Sequence, residues 1–271
     1  MRLATFAVLV LVLAGASRAA AQTNQQPTIV LTIFGGYTTG HDLWIVGKQP
    51  LQVIGTNPAE YDTLRLSQAI GPSIIAGAAA TYFPSAHLGL HVELSYIGLP
   101  VNGGCTGPVT YRPDFEEKNK QTCDDIQAKS SDGGAIAIFT GATFRAASRG
   151  AISPYARLNL GFVSQSRSTI EMSGGFITSS GVGVREVVSD PKPRRAKVLF
   201  GAALGFTRPI SPGYQFRWEV RDLIIPLNRL TGPATPVSGA IVGPTATRLY
   251  HHFSLILGLD VVLEKKRGRR Y

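Results

Sequence analysis

A chain of 271 residues with 16% charged side chains, 30 glycines and two cysteines is long enough for one sizeable domain. Past its N-terminus no apolar run approaches the ~20 residues of a spanning helix, which excludes a helical membrane protein. The formal charge of +10 would suit nucleic acid, but the export signal described next takes the chain away from that partner.

Residues 1–21 read as a cleaved signal peptide. Arg2 supplies the positive start, Leu3 to Ala14 the apolar stretch and Ala19-Ala20-Ala21 the small-residue cleavage site. Cleavage before Gln22 removes Arg2 and Arg18 and leaves +8. The residue after the cut is not Cys, so no N-terminal lipid anchor is expected. Residues 22–27 form a short lead-in on the periplasmic side.

Eight amphipathic stretches follow, joined alternately by long and short connections. Thr28–Thr39 rises and a long loop runs to Arg65. Leu66–Phe83 descends to a tight turn at Pro84-Ser85-Ala86. His87–Leu99 rises into a long polar connection, Val101–Gly133. Gly134–Ala146 descends to a turn at Ala147–Ala151. Ser153–Gln165 rises into a loop reaching Arg194. Arg195–Arg208 descends to Pro209-Ile210-Ser211-Pro212-Gly213. Tyr214–Ile225 rises into a Pro/Gly-rich loop to Thr247, and Arg248–Leu263 descends. Gly and Pro punctuate nearly every connection.

Successive side chains of a strand point to opposite faces. In the last stretch Leu249, His251, Phe253, Leu255, Leu257, Leu259, Val261 and Leu263 share one face. In the seventh, Tyr214, Phe216, Trp218 and Val220 oppose Gln215, Arg217, Glu219 and Arg221. In the third, Leu88, Leu90, Val92, Leu94 and Tyr96 oppose Gly89, His91, Glu93 and Ser95. A soluble sandwich also alternates, but its strands average about 5–6 residues. These are about ten or longer, the length of a tilted strand crossing hydrocarbon. The fold class is therefore all-β: an antiparallel up-and-down transmembrane β-barrel over residues 28–263. Eight strands are expected, with short periplasmic turns and long extracellular loops, and ten strands are the alternative. The extra pair would come from Leu43–Ile54 in the first loop, or from Ser168–Ser173 and Phe176–Val188 in the third; hairpins above the membrane fit these segments better.

The alternation turns Glu93, Arg145, Arg157, Lys197, Arg217, Glu219, Arg221 and Asp260 inward. Charges on the lipid face would cost about 2–4 kcal/mol at the midplane. An eight-stranded barrel is filled by its own side chains, so these groups are expected as a plug of ion pairs, with Arg217 and Arg221 drawing on Glu93, Glu219 and Asp260. A narrow pore with mild anion preference is the alternative, since five of the eight are cationic.

Cys105 and Cys123 share the connection Val101–Gly133. An even cysteine count in an exported chain reads as a disulfide. Zinc is disfavoured, because the two are far apart with no His between them. His252 and Ser254 fall on one face, as a base and nucleophile would, yet that face points inward and no matching acid stands nearer than Asp260. His91, Glu93, His252 and Asp260 come from strands that should not adjoin, so no metal site is expected. Neither a catalytic residue nor a cofactor is assigned.

The alternating rhythm resembles the small outer-membrane β-barrel proteins, the OmpA-like transmembrane domain and its relatives, over the whole mature chain. That resemblance implies a cell outer-membrane protein. It would meet outer-membrane lipid, the barrel-assembly machinery and, through its long loops, a surface or envelope partner. The residues themselves assign it no enzymatic activity; the weaker alternative is a lipid A-modifying hydrolase, since the His252 and Ser254 pair resembles that of outer-membrane lipid A deacylases. The family's assembly signal in the last strand maps onto Gly258, Val261 and Leu263, with Ile256 where a polar residue is usual. The family's chains often end on an aromatic that closes the last strand. This chain continues through a basic tail, residues 264–271, expected on the periplasmic side, where its Lys and Arg would face anionic headgroups.

Overall fold

The computed structural model describes residues 27–55, 58–110, 117–146, 151–190, 196–237 and 240–263. The expected signal peptide, nearly all of the lead-in segment and the basic tail lie outside the described residues. In chain order the strands are β1 (Thr28–Thr38), β2 (His41–Gln52), β3 (Tyr61–Ile70), β4 (Ser73–Phe83), β5 (Leu88–Gly98), β6 (Val101–Thr110), β7 (Ser130–Ser131), β8 (Gly134–Arg145), β9 (Ser153–Gln165), β10 (Met172–Thr178), β11 (Gly181–Val188), β12 (Lys197–Ser211), β13 (Tyr214–Leu230), β14 (Thr235–Val237), β15 (Ala240–Val242) and β16 (Thr245–Leu263). A helix, α1 (Lys118–Ala128), precedes β7.

Eight strands close a barrel in the order β1-β4-β5-β8-β9-β12-β13-β16, with β16 returning to β1. Every pair is antiparallel. Closure leaves no barrel edge with unpaired backbone groups, as hydrocarbon demands. The outward face is largely apolar: Ile33, Leu90, Ile138, Phe162, Leu204 and Leu257 are each about half exposed or more, while His251 and Asp222 pair on it at 2.7 Å towards the long-loop end. A belt of this kind on a closed ladder makes the molecule a transmembrane β-barrel.

The second barrel strand is shorter than the sequence pattern predicts. The expected span Leu66–Phe83 breaks at Gly71-Pro72, where Pro72 has no N–H to give and the Gly71 N–H bonds to the Pro100 carbonyl at 2.9 Å. Gly40 crosses tightly here, since a Cβ on it would sit 2.3 Å from the Ile70 carbonyl oxygen. Leu66–Ile70 thus leaves the barrel as part of β3.

The long connections are folded. β2, β3, β6 and β7 make a four-stranded sheet, and β10 and β11 form a hairpin. Leu43–Ile54 pairs with Tyr61–Ile70 rather than adding a membrane strand. Gly174 and Gly175, which separate the two segments of the expected third-loop hairpin and so fall where its turn would be, lie within β10, and the hairpin turns at Ser179-Ser180. β13 and β16 outgrow their expected spans and pair up to Leu230 and Thr245. These pieces stand together on the long-loop end of the barrel as a crown.

Candidate functional site: a double closure of the lumen

The barrel interior has two layers. In the half nearer the short turns, six charged side chains converge from β5, β9, β13 and β16. Arg221 clasps both oxygens of Glu93, with Nη2 to Oε2 at 3.0 Å, and donates from Nε to Glu219 Oε1 at 2.8 Å. Arg157 Nη1 reaches Glu93 Oε2 at 3.1 Å and stands 3.8 Å from Glu219. Arg217 Nε meets Asp260 Oδ1 at 3.0 Å, and its Nη1 lies 3.8 Å from Glu219. The Tyr155 hydroxyl donates to Glu219 at 2.7 Å and the Thr32 hydroxyl to Asp260 at 2.7 Å. Three guanidiniums therefore balance three carboxylates, with no side chain of the six more than 6% exposed.

Neutrality is what lets such a layer exist. A lone buried charge costs several kcal/mol, of order, and only close opposite charges offset it. The barrel ladder supplies the positions. Glu219 and Arg221 are two residues apart on one face of β13, and Asp260 sits opposite Gln215, two residues from Arg217 on that same face. Two of the eight residues expected inward stay out of the network. Arg145 lays its guanidinium 3.5 Å over the Phe83 ring at the short-turn rim. Lys197, at the other rim, donates to Asn228 Oδ1 at 3.2 Å.

The second layer adds to the plug of ion pairs expected from the sequence. Towards the long-loop end the inward residues turn apolar: Ile75, Ile97, Ala137, Val163, Leu199, Leu223, Ile225 and Leu227 are all buried. They share one hydrophobic core with the crown's Leu43, Trp44, Leu64, Leu66, Ile126, Met172 and Val187. The loops thus drop an apolar plug into the barrel mouth. Dry apolar contacts on both sides explain why these strand ends are apolar on both faces.

Polar contacts lock the plug in place across loops distant in sequence. The Trp44 indole N–H donates to the Thr169 carbonyl at 2.9 Å. Gln49 and Ala234 bond reciprocally, at 2.8 and 2.7 Å. The Tyr250 hydroxyl donates to the Leu43 carbonyl at 2.6 Å, fixing the plug to the wall. Cys105 in β6 and Cys123 in α1 form a disulfide with a Cα–Cα separation of 5.2 Å, and both are buried in the shared core. Gly174 lets the hairpin meet α1 closely, since a Cβ there would stand 2.4 Å from the Thr122 carbonyl oxygen.

The remaining sequence candidates do not assemble into chemistry. His252 and Ser254 are both buried and inward, yet neither has a side-chain hydrogen-bond partner. His252 packs edge-on against His41, with ring centroids 4.4 Å apart. Asp260 is bound to Arg217 and Thr32 and lies six residues beyond Ser254, about 20 Å along a strand. His91 is held by Asn159 at 2.7 Å and by the Thr143 hydroxyl. Among the described residues no group of three or more His, Cys, Asp or Glu side chains gathers as a metal site would. Gly258, Val261 and Leu263 sit in β16 opposite Phe34, Leu31 and Ile29 of β1, at the seam that closes the barrel.

The class of protein these features define is a transmembrane β-barrel of eight strands with a filled interior. No protein-family model matches the chain, and no curated protein does. Among solved structures, the chain is similar in fold to the outer membrane protein OprG from Pseudomonas aeruginosa, with 10% identity and a TM-score of 0.47 over 87% of this chain and 96% of that one. The outer membrane protein AlkL, solved in lipid bilayers, is 15% identical with a TM-score of 0.46 over 92% of this chain and 95% of that one. The N-terminal β-barrel domain of Pseudomonas aeruginosa OprF is 9% identical with a TM-score of 0.38 over 88% of this chain and 100% of that one. The class rests on the closed ladder and the apolar belt.

Proposed function

We propose that this protein is an integral outer-membrane barrel whose lumen is closed and whose work is done by the crown, as a structural or surface-interaction platform. The observation that carries this reading is the core shared by the crown loops and the upper barrel wall. Loops built to line a channel mouth would present polar surface to it. These bury Trp44, Leu64, Leu66 and Met172 inside it instead. The neutral ion-pair layer beneath is a second closure and offers no uncompensated charge to select an ion.

In this reading the signal peptide exports the chain, the barrel-assembly machinery inserts it, and Gly258, Val261 and Leu263 belong to the recognised last strand. The short turns and basic tail face the periplasm, the crown faces outward, and outer-membrane lipid covers the belt. The protein is not an enzyme and needs no cofactor; His252 and Ser254 serve packing at the rim. Ion conductance in a planar bilayer tests the proposal. A silent bilayer is expected, and steady single-channel current through the unmodified protein would replace the platform with the narrow anion-favouring pore.

A further inference from the structure

The two long edges of the β10–β11 hairpin are in different states. On the β10 edge the Gly175 N–H donates to Asp125 Oδ2 at 2.5 Å, and the Ile177 N–H donates to Gln121 Oε1 at 2.7 Å. Side chains of α1 thus cap that edge. The same two bonds fix the pleat, because they show the backbone groups of Gly175 and Ile177 pointing away from β11. Their ladder partners are Val184 and Val182. In an antiparallel couple that exchanges no hydrogen bonds, both members turn N–H and C=O outward. Val182, Val184 and, by the same alternation, Glu186 therefore aim theirs away from β10. Among the described residues β11 pairs with β10 alone, and no other hydrogen bond reaches Val182 or Val184. The open edge ends at Ser189, whose N–H bonds to the Ile241 carbonyl at 2.7 Å.

The side chains on this edge are as open as its backbone. Val182 and Val184 are 79% and 75% exposed, more than any large apolar residue of the lipid-facing belt, and Ile177 beside Val182 is 66% exposed. Sheet edges are normally blunted by a Lys, a Pro, a bulge or a covering element. Residues 181–186 carry none of these. The basic side chain there, Arg185, falls on the opposite face and donates to Asn119 of α1 at 2.7 Å. The exposed face ends in one carboxylate, Glu186. An edge of this kind fits another strand. Pairing with a second copy of β11 would set Glu186 against a valine or against the copy's Glu186, never against a cation.

We propose that the β11 edge takes an extended segment of a surface or envelope protein as an added antiparallel strand. The residues opposite Val184 and Val182 are apolar, and the residue opposite Glu186 is basic. From N- to C-terminus the segment reads basic-x-apolar-x-apolar. Backbone bonds supply the affinity and the three facing side chains the choice of partner. The assignment rests on the reading of the crown as the outward platform of a closed barrel, and it names what that platform holds.

Fluorescence anisotropy of the labelled peptide acetyl-Thr-Lys-Thr-Val-Thr-Val-Thr-amide, titrated with the full chain in detergent micelles, tests it. Saturable binding is expected. N-methylation of the two valines removes the N–H groups that face β11 and should weaken binding roughly tenfold or more, since two ladder bonds are lost. N-methylation of the two inner threonines alters N–H groups that face away and should leave binding nearly unchanged. Val184→Lys should weaken the peptide by a similar factor. Glu186→Lys should disfavour the Lys peptide and favour its Glu counterpart. Both side chains are exposed, so neither variant threatens folding, and the compact unheated gel band checks this. No saturable binding overturns the proposal. Equal binding of the two methylated forms also overturns it, as apolar partition rather than strand addition. A dimer of the unliganded protein that Val184→Lys dissociates overturns it in favour of a second copy. Conductance of the same preparation is read separately: a silent bilayer without peptide binding removes the strand site and leaves the closed platform, whereas an open channel removes the platform whatever the titration shows.

Discussion

Glu219→Gln probes whether the ion layer is dry. The substitution keeps the side chain's shape and removes one negative charge from a set of three cations and three anions. Glu219 accepts from Arg221 at 2.8 Å and from Tyr155 at 2.7 Å, and it lies 3.8 Å from both Arg157 and Arg217. Its loss leaves one uncompensated guanidinium among groups at most 6% exposed. Breaking a buried pair this way costs about 3–5 kcal/mol. In a water-filled lumen, screening would cut that to about 1 kcal/mol or less. For a chain of this size the dry case lowers the melting temperature by very roughly 6–20 °C. The assay is the temperature at which the compact, unheated form on a gel gives way to the unfolded band. A second variant guards against a generic defect. Arg157→Gln added to Glu219→Gln restores neutrality, two against two, and removes a guanidinium whose Nε and Nη2 already lack partners. The pair should recover much of the lost stability. Unchanged stability in Glu219→Gln, together with steady current through the unmodified protein, would refute the reasoning.

Replacing Cys105 and Cys123 by Ser should leave the barrel assembled, since the link lies outside its ladder. The crown should become protease-sensitive, because an 18-residue link of this kind contributes about 3 kcal/mol; loss of the folded barrel band would contradict this. Trp44→Ala should cost about 3–5 kcal/mol and loosen the plug, seen as new cleavage sites in the loops; an unaltered digestion pattern would count against a plugging role. Burial pushes the Asp125 carboxyl up, but Lys129 and the Gly175 N–H outweigh it and hold the group below its ordinary value of 3.8. The folded form is therefore favoured above the unfolded-state value, and that gain is lost as pH falls through the depressed one. The Gly175 amide resonance should titrate with a midpoint below 3.8, and a midpoint above it would contradict the pairing.

The barrel was legible because a membrane strand repeats its constraint every two residues. β5, β13 and β16 each carry that alternation over five or more turns of the pleat. Gly71-Pro72 was legible too, as a breaker inside an otherwise strand-like run, yet the apolar residues on either side of it, Ala69-Ile70 and Ile74-Ile75, read as one strand. The plug was harder. Its contacts join residues far apart in sequence, such as Trp44 with Thr169 and Gln49 with Ala234, and no local pattern encodes which loop meets which. A local trace does exist. Leu223-Ile224-Ile225, Phe162-Val163 and Val198-Leu199-Phe200 are apolar on both faces at the long-loop ends of their strands. Continuous apolarity in a strand means that both faces are covered by apolar material. Outside lay lipid, and inside had to lie something other than water. Gly174-Gly175 misled for a different reason: glycine serves close packing against α1 there rather than a turn.

The two closures depend on each other. Ion pairs of this density are favourable only while water is kept from them. From the short-turn side Phe83 and Arg145 cover the layer. From the other side the cover is the plug, since Phe34 packs both under Arg221 and into the shared core. Opening the plug should admit water to the network and weaken every charge interaction in it, and Glu219→Gln should then cost less. The expected signature is a double-mutant cycle. Glu219→Gln lowers stability by about 3–5 kcal/mol in the intact protein and by about 1 kcal/mol or less in a Trp44→Ala background. That leaves a coupling of about 2 kcal/mol or more between side chains in different layers, well above the ~0.5 kcal/mol scatter of independent distant sites. Additive costs would mean that the ion layer stays dry without the crown, and the closure would then be single, built by the barrel alone.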